Sequence, residues 1–117
     1  FIFPEGDLKQ PGSVKHVFKG AAYLSSKAGV PLIPIACRVV LRGGECPEAF
    51  LNIGIPRDKE RHSETDLISV LNLLLAEVDS AISSADPQGV PEGFSTWIRG
   101  RRPANERNGW VARFWRF

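Results

Sequence analysis

Residues 64–84 contain the longest helical pattern of apolar side chains in this sequence. Ser63 stands before the pattern as a candidate N-cap, and Asp66 follows three residues later, near a capping-box arrangement. Most of the stability of such a helix comes from packing its apolar face, so the rest of the chain must supply an apolar surface. The apolar stripe consists of Leu67, Leu71, Leu74, Val78 and Ile82, and it is widened by Ile68 and Leu75.

Three short apolar runs are candidate strands for that surface. Residues 1–3 predict a buried strand that ends at Pro4, as in a parallel or mixed sheet. Residues 32–42 and residues 49–55 predict two further strands, because both are rich in apolar and β-branched side chains. Pro34 marks a sheet edge, a bulge or the start of a strand.

A second helix is predicted over residues 16–28, where Gly29 supplies the expected C-terminal stop. The order strand, helix, strand, strand, helix predicts an α/β fold with a mixed sheet and helices packed on it. If the first two strands are parallel, a right-handed helical crossover joins them. The predicted domain organisation is a folded part over residues 1–84, a linker over 85–93 and a basic tail over 94–117.

Charge is distributed unevenly along the chain. The formal net charge is +2, yet residues 94–117 carry six arginines against one glutamate, interleaved with three tryptophans. Arginine beside tryptophan suits an anionic membrane surface, and it also suits single-stranded nucleic acid. A third interpretation is that the aromatic side chains pack on the domain while the arginines are solvated. Of these partners we expect the membrane and not nucleic acid.

Glu5 and Gly6 form the first candidate site, in a turn directly after the first predicted strand. Glycine lets the backbone turn sharply and lets a ligand approach closely. A carboxylate repels phosphate directly, so Glu5 is expected to hold a nearby Lys or Arg, or to accept a hydrogen bond from a ligand hydroxyl. The alternative is a solvated side chain in a plain turn.

Lys15, Lys19 and the start of the helix predicted over 16–28 form the second candidate site. A helix N-terminus offers N–H groups and a favourable dipole to an anion, and two lysines add positive charge. The alternative, which the sequence supports equally, is that both lysines are solvated side chains at an exposed helix end.

Three blocks of the sequence together resemble the glycerophospholipid acyltransferase family, whose members acylate lysophosphatidic acid and related lipids. Residues 3–6, Phe-Pro-Glu-Gly, match the family's acceptor block residue for residue. Lys19 before Gly20 matches the second lysine of a family segment, and residues 30–34 match its Val-Pro-apolar-apolar-Pro block. The resemblance covers residues 1–36 by motif. It implies the family's fold, of which this sequence is expected to hold the C-terminal half.

The resemblance implies that Glu5, Gly6, Lys9, Lys19 and Pro31 bind substrate. It implies direct transfer of an acyl group from acyl-CoA or acyl carrier protein to a hydroxyl of a lysophospholipid or another hydroxylated lipid acceptor, with no metal or cofactor. The expected location is the cytoplasmic side of a membrane. Because no long uninterrupted apolar run is present, contact by this part is expected to be peripheral, and an anchor ahead of it stays open.

The sequence departs from the family in two respects. Asp7, Leu8 and Lys9 stand where the family commonly has Thr-Arg-Ser, and Leu8 cannot replace the arginine that contacts phosphate. The catalytic His-x4-Asp block is also missing, since His16 and His62 have no Asp at the required distance. Both histidines are expected to be surface or capping residues.

The missing block has a consequence for the parent protein. The sequence begins on Phe and contains no Met, so we expect a piece of a longer protein, with precursor processing as the alternative. The catalytic residues are then expected ahead of Phe1. Two other functions stay open: a non-catalytic anion- or phosphate-binding module, and an interaction domain that acts through the arginine-rich tail.

Overall fold

The computed structural model describes residues 1–7, 10–43, 46–58 and 63–100. Within them the elements are helix α1, strands β1 and β2, and helix α2, in that order. The two strands form an antiparallel sheet, and α2 packs on it. The predicted combination of helices and sheet is therefore confirmed in its coarse form. The bounds are α1 Gly20–Ala28, β1 Ile35–Val40, β2 Glu48–Ile53 and α2 Glu64–Ser84.

Helix α2 has the predicted bounds, and Ser63 is its N-cap in extended conformation. The Ser63 hydroxyl does not cap a backbone amide, because it hydrogen-bonds the Thr65 hydroxyl at 2.6 Å. The Ser63 carbonyl accepts the Leu67 amide at 3.1 Å and begins the helix. The predicted stripe does form the packing face, and its buried members are Leu67, Leu74, Leu75 and Val78. Leu67, Leu74 and Leu75 join a core with Val14, Val17 and Ala36.

Strands β1 and β2 form a hairpin in which Ile35 pairs with Ile53 and Val40 pairs with Glu48. Both strands are shorter than predicted. Pro34 precedes β1 directly, which confirms it as a strand start, and its carbonyl accepts the Gly54 amide at 2.8 Å. Before it, the chain makes only a single bridge between Leu32 and Arg57.

The predicted strand at residues 1–3 is wrong. These residues pair with no other strand in the described part of the chain, and the Phe3 side chain is 87% exposed. The Phe3 carbonyl accepts the Gly6 amide at 3.2 Å, so the backbone turns at once. The described sheet is therefore antiparallel rather than mixed, and no parallel crossover exists in it. A strand needs a partner ladder, which a short apolar triplet cannot supply itself.

Helix α1 ends where predicted, at Gly29 with a left-handed φ of 67°, but it begins at Gly20 and not at residue 16. Residues before it run as irregular backbone because Val14 and Val17 are both buried in the core. Val17 is only 2% exposed. Tertiary packing therefore overrides the helical spacing of the apolar side chains in this segment.

The segment after α2 lies against the hairpin. Arg42 donates to the Gly89 carbonyl at 2.8 Å, Pro91 is fully buried, and the ring of Phe94 stands edge-on to Phe50 at 5.6 Å. The division into domain, linker and tail stays a prediction. Most of the predicted tail, residues 101–117, lies outside the described residues.

Within the part of the chain that the structure describes, one face of the hairpin is left uncovered. Successive residues of a strand point to opposite faces, and the side facing α2 carries Ala36, Arg38 and Phe50. The other side, which we call the open sheet face, consists of Cys37, Val39, Leu51 and Ile53, all of them exposed in the structure.

Candidate functional site

The Glu5-Gly6 turn is held in a conformation that favours glycine. Gly6 has a φ of +66°, in the left-handed region. A Cβ atom at Gly6 would lie 2.6 Å from Cε2 of Phe18, so the Phe18 ring covers the turn closely. The predicted role of the glycine in turning the chain is thus borne out by its geometry.

A single backbone hydrogen bond brings the two predicted sites together. The Phe18 amide donates to the Pro4 carbonyl at 2.6 Å, and the next residues in the two segments are Lys19 and Glu5. Residues 4–6 and 18–20 therefore form one structure, which we call the Glu5–Lys19 corner. Lys9, predicted to bind substrate, lies outside the described residues, as does Leu8.

Lys19 is the N-cap of α1, and it is exposed. The first turn of α1 contains no acidic residue, so no carboxylate within it competes for the positive end of the helix dipole. The Lys19 side chain makes no capping hydrogen bond at this end of the helix. Lys19 and the start of α1 therefore lie next to the Glu5-Gly6 turn along the backbone, and a helix start of this kind favours an anion.

His16 and Glu64 lie next to the corner. The His16 Nε2 is 3.5 Å from the Glu64 Oε1, and the His16 ring stands edge-on to Phe18 at 4.9 Å. His16 is exposed, as predicted. Lys19 and Glu64 also line a small cavity of about 20 Å³, together with Val17, Phe18, Ala22 and Leu67. A cavity of that size has room for about one water molecule.

Pro31 does not lie at the corner. It follows Gly29 at the C-terminal end of α1, whereas Lys19 stands at the N-terminal end, and nine helical residues span about 13 Å. Within the same block, Leu32 packs on the core and Pro34 is buried, while Val30 and Ile33 are half exposed. The block therefore has a visible structural role in this part of the chain.

Arg38 supports the loop behind the corner, and the sequence analysis did not single it out. Its guanidinium forms a fork with the Asp79 carboxylate on α2, at 2.8 and 2.9 Å, and donates to the Gly12 carbonyl at 3.2 Å. The hydrogen bond that Arg38 donates to Asp79 raises the pKa of Arg38. Partial burial acts in the opposite direction, and the negative charge of Glu5 adds to the rise. The same bond lowers the pKa of Asp79. The available signal was an arginine inside an otherwise apolar strand.

Asn72 makes a second support that the sequence analysis missed. Its side-chain amide accepts the Val14 N–H at 2.7 Å and donates to the Val14 carbonyl at 2.9 Å. The sequence signal for this contact is a polar side chain among apolar ones, since Asn72 lies between Leu71 and Leu73, beside the apolar stripe of α2.

The described residues hold no group of three or more His, Cys, Asp or Glu side chains that could bind a metal ion. By length and composition, α2 could cross a membrane: it has 21 residues, and an 18-residue window within it has a mean hydropathy of 1.5. The sequence analysis did not anticipate that property. It is weak evidence, since core helices of water-soluble proteins share it, and here one face of α2 packs on the hairpin.

Comparisons of the chain with protein-family models, with curated proteins and with solved structures find no match. The site is therefore interpreted from its own geometry and from the motif resemblance alone.

Proposed function

We propose that the Glu5–Lys19 corner binds the phosphate end of a lysophospholipid, or of a similar hydroxylated lipid acceptor, in an acyltransferase. The observation that carries the proposal is the hydrogen bond from the Phe18 amide to the Pro4 carbonyl. It joins the Phe-Pro-Glu-Gly block to Lys19 and to the start of α1. Two motifs that the family resemblance assigns to one substrate are thus neighbours in space.

Each group at the corner has a distinct role in this proposal. The Lys19 ammonium and the first amides of α1 attract the phosphate. Glu5 accepts a hydrogen bond from an acceptor hydroxyl, and Gly6 gives the backbone the left-handed turn that presents Glu5 beside the Phe18 ring. Pro31 belongs to the apolar side of the proposed site, away from the phosphate.

The proposed reaction transfers an acyl group from the thioester of acyl-CoA or acyl carrier protein to an acceptor hydroxyl. A general base removes the hydroxyl proton, the oxygen bonds to the acyl carbon, the carbon–sulfur bond breaks, and the base returns the proton to the leaving sulfur. The proposal assigns the base to a His-x4-Asp block ahead of these residues, because His16 lacks an aspartate partner at that spacing. Lys9 supplies a further positive charge near the phosphate in place of the family's arginine.

The proposed location is the cytoplasmic face of a membrane. A lipid acceptor resides there, and the excess of arginine over acid in residues 94–117 favours an anionic surface.

A nuclear magnetic resonance titration of the isotope-labelled chain tests the phosphate site. Glycerol 3-phosphate is the probe, and glycerol is the uncharged control. We expect the probe, and not glycerol, to shift the amide signals of Gly6, Lys19 and Gly20. Lys19→Gln should remove those shifts. Lys27→Gln is the matched control, since Lys27 lies in the last turn of the same helix.

Equal losses in both lysine variants would show general attraction between charges and would contradict the site. An absence of any shift at Gly6 would contradict it as well. The alternative of a plain anion-binding module has support from the helix start, which needs no lipid. If inorganic phosphate binds as tightly as glycerol 3-phosphate and Glu5→Gln changes neither affinity, that alternative is correct.

A further inference from the structure

We propose that Asn72 on α2 is a positioning residue for the Glu5–Lys19 corner. The proposal rests on the proposed function for what the corner binds, but not for how the corner is held. Asn72 contacts neither Glu5 nor Lys19 in the hydrogen bonds above. It acts on the segment that leads into the corner.

The contact between Asn72 and Val14 satisfies both backbone groups of one residue. The Val14 N–H lies 2.7 Å from Oδ1 of Asn72, and Nδ2 lies 2.9 Å from the Val14 carbonyl oxygen. Val14 is 6% exposed, so water cannot readily replace these bonds. A primary amide offers one acceptor and one donor side by side, whereas a carboxylate can only accept and leucine can do neither.

The segment between Val14 and the corner is short and fixed at both ends. Val17 is buried in the same core, and the next residue, Phe18, donates to Pro4 and covers Gly6 with its ring. A shift of Val14 would therefore reach the corner within four residues. No helix or strand separates the two points to absorb it.

A second tie from α2 holds the same loop on the other side of Val14. Asp79 fixes Arg38, and Arg38 donates to the carbonyl of Gly12, two residues before Val14. Asn72 and Asp79 are seven residues apart, and residues at that spacing lie on the same face of a helix. One face of α2 thus holds the carbonyls of residues 12 and 14, and with them the direction in which the chain enters the corner.

Asn52 provides a matched control because it also ties its strand to α2 through its amide. It donates to the Leu74 carbonyl at 3.2 Å and to the Glu77 carboxylate at 2.8 Å. It is half-buried, as Asn72 is, and it lies on β2, where both of these hydrogen bonds go to α2 and neither goes to residues 12–18. A role in general stability should be shared by both asparagines, but a role in positioning should belong to Asn72 alone.

The test compares Asn72→Leu with Asn52→Leu in the full chain, and adds Asn72→Asp and Asn72→Gln. Hydrogen exchange of the Phe18 amide reports the corner directly, and the affinity for glycerol 3-phosphate reports its function. We expect Asn72→Leu to speed Phe18 exchange by about thirtyfold, which corresponds to two lost buried hydrogen bonds. Affinity should fall by a similar factor. Asn72→Asp, which keeps only the acceptor, should fall between, and Asn72→Gln should restore part of the protection.

Equal exchange of the Phe18 amide in wild type and Asn72→Asp, with affinity unchanged, would overturn the proposal. So would equal effects of Asn72→Leu and Asn52→Leu. If Asn72→Leu does not fold, the Asp and Gln variants carry the comparison. Failure of the proposed function would look different: wild type would then show no Lys19-dependent binding, while Phe18 exchange would still decide whether Asn72 positions the corner.

Discussion

Gly6→Ala should destabilise the corner by an amount that the geometry allows us to separate into two parts. The first part is backbone strain, since Gly6 has a φ of +66° and an alanine there costs about 1–2 kcal/mol. The second is a collision, since the new Cβ would lie 2.6 Å and 2.7 Å from two atoms of the Phe18 ring. Phe18 is 58% exposed, so its ring can swing outward at the cost of its contact with His16.

Chemical denaturation of the purified chain measures the total, which we expect to be about 2 kcal/mol or slightly more. Phe18→Ala in the Gly6→Ala background removes the collision and leaves the strain, so about 1–2 kcal/mol should persist relative to Phe18→Ala alone. Gly12→Ala is the control in the same loop. A Cβ there meets nothing closer than 3.9 Å, and Gly12 is not among the glycines with positive φ. That change should be neutral or slightly stabilising.

The binding of glycerol 3-phosphate to Gly6→Ala should weaken together with stability, because either relief of strain or movement of Phe18 alters the backbone beside Lys19. A Gly6→Ala protein as stable as Gly12→Ala would refute the conformation assigned to the turn. A destabilised protein with unchanged affinity would separate the turn from the binding site.

Three further predictions concern other parts of the chain. Asp79→Asn should lower the free energy of unfolding at pH 7 by about 1 kcal/mol or less, because the carboxylate is half exposed. The pKa of Asp79 is lower in the folded state, so the stability that the carboxylate contributes is fully present above its unfolded pKa of about 3.9. In chemical denaturation at a series of pH values, the difference in unfolding free energy between wild type and Asp79→Asn should shrink as the pH falls below about 4. The open sheet face should make the chain associate as its concentration rises, which analytical ultracentrifugation measures. The double substitution Val39→Lys and Leu51→Lys should reduce this association, whereas the control Ser26→Lys, at an exposed position on α1, should not. A peptide of residues 94–117 should float with anionic liposomes at low salt and not with zwitterionic ones, and equal flotation with both would indicate simple hydrophobicity.

The elements that the sequence predicts best are those whose signals are local. Helix α2 has a complete apolar stripe and an N-cap serine, and both of its ends were predicted. The two strands were predicted from their apolar and β-branched residues, with errors of a few residues at the ends. The strand predicted at residues 1–3 was wrong because an apolar triplet has the same sequence pattern whether or not a partner strand lies beside it.

The start of α1 was wrong for a related reason. The helix was predicted over residues 16–28 because Phe18, Ala21 and Leu24 lie near helical spacing. Phe18 in fact precedes the helix, and the buried residues Val14 and Val17 lie in irregular backbone. One contact that holds this segment comes from Asn72, which is 58 residues away from Val14. A distant partner of that kind leaves no trace in a local pattern.

The candidate site was predictable in its parts but not in its support. Glu5, Gly6 and Lys19 were singled out by motif, and the structure places them at one corner. Arg38 and Asn72 were missed because each was judged within its own segment. A polar side chain inside an apolar strand or beside an apolar stripe needs a buried partner, and that requirement could have drawn attention to both.

The two supports connect the most strongly specified element of the chain to its least regular one. Helix α2 is fixed by packing on the hairpin, and through Asn72 and Asp79 it holds the loop before α1 at Val14 and Gly12. Loops that carry binding residues are commonly positioned in this way by a rigid scaffold. Neither Glu5 nor Lys19 takes part in the hydrogen bonds that Asn72, Asp79 and Arg38 make to this loop. Substitutions at Glu5 or Lys19 should therefore leave the loop in place, so that their effect on ligand binding can be measured apart from their effect on the fold.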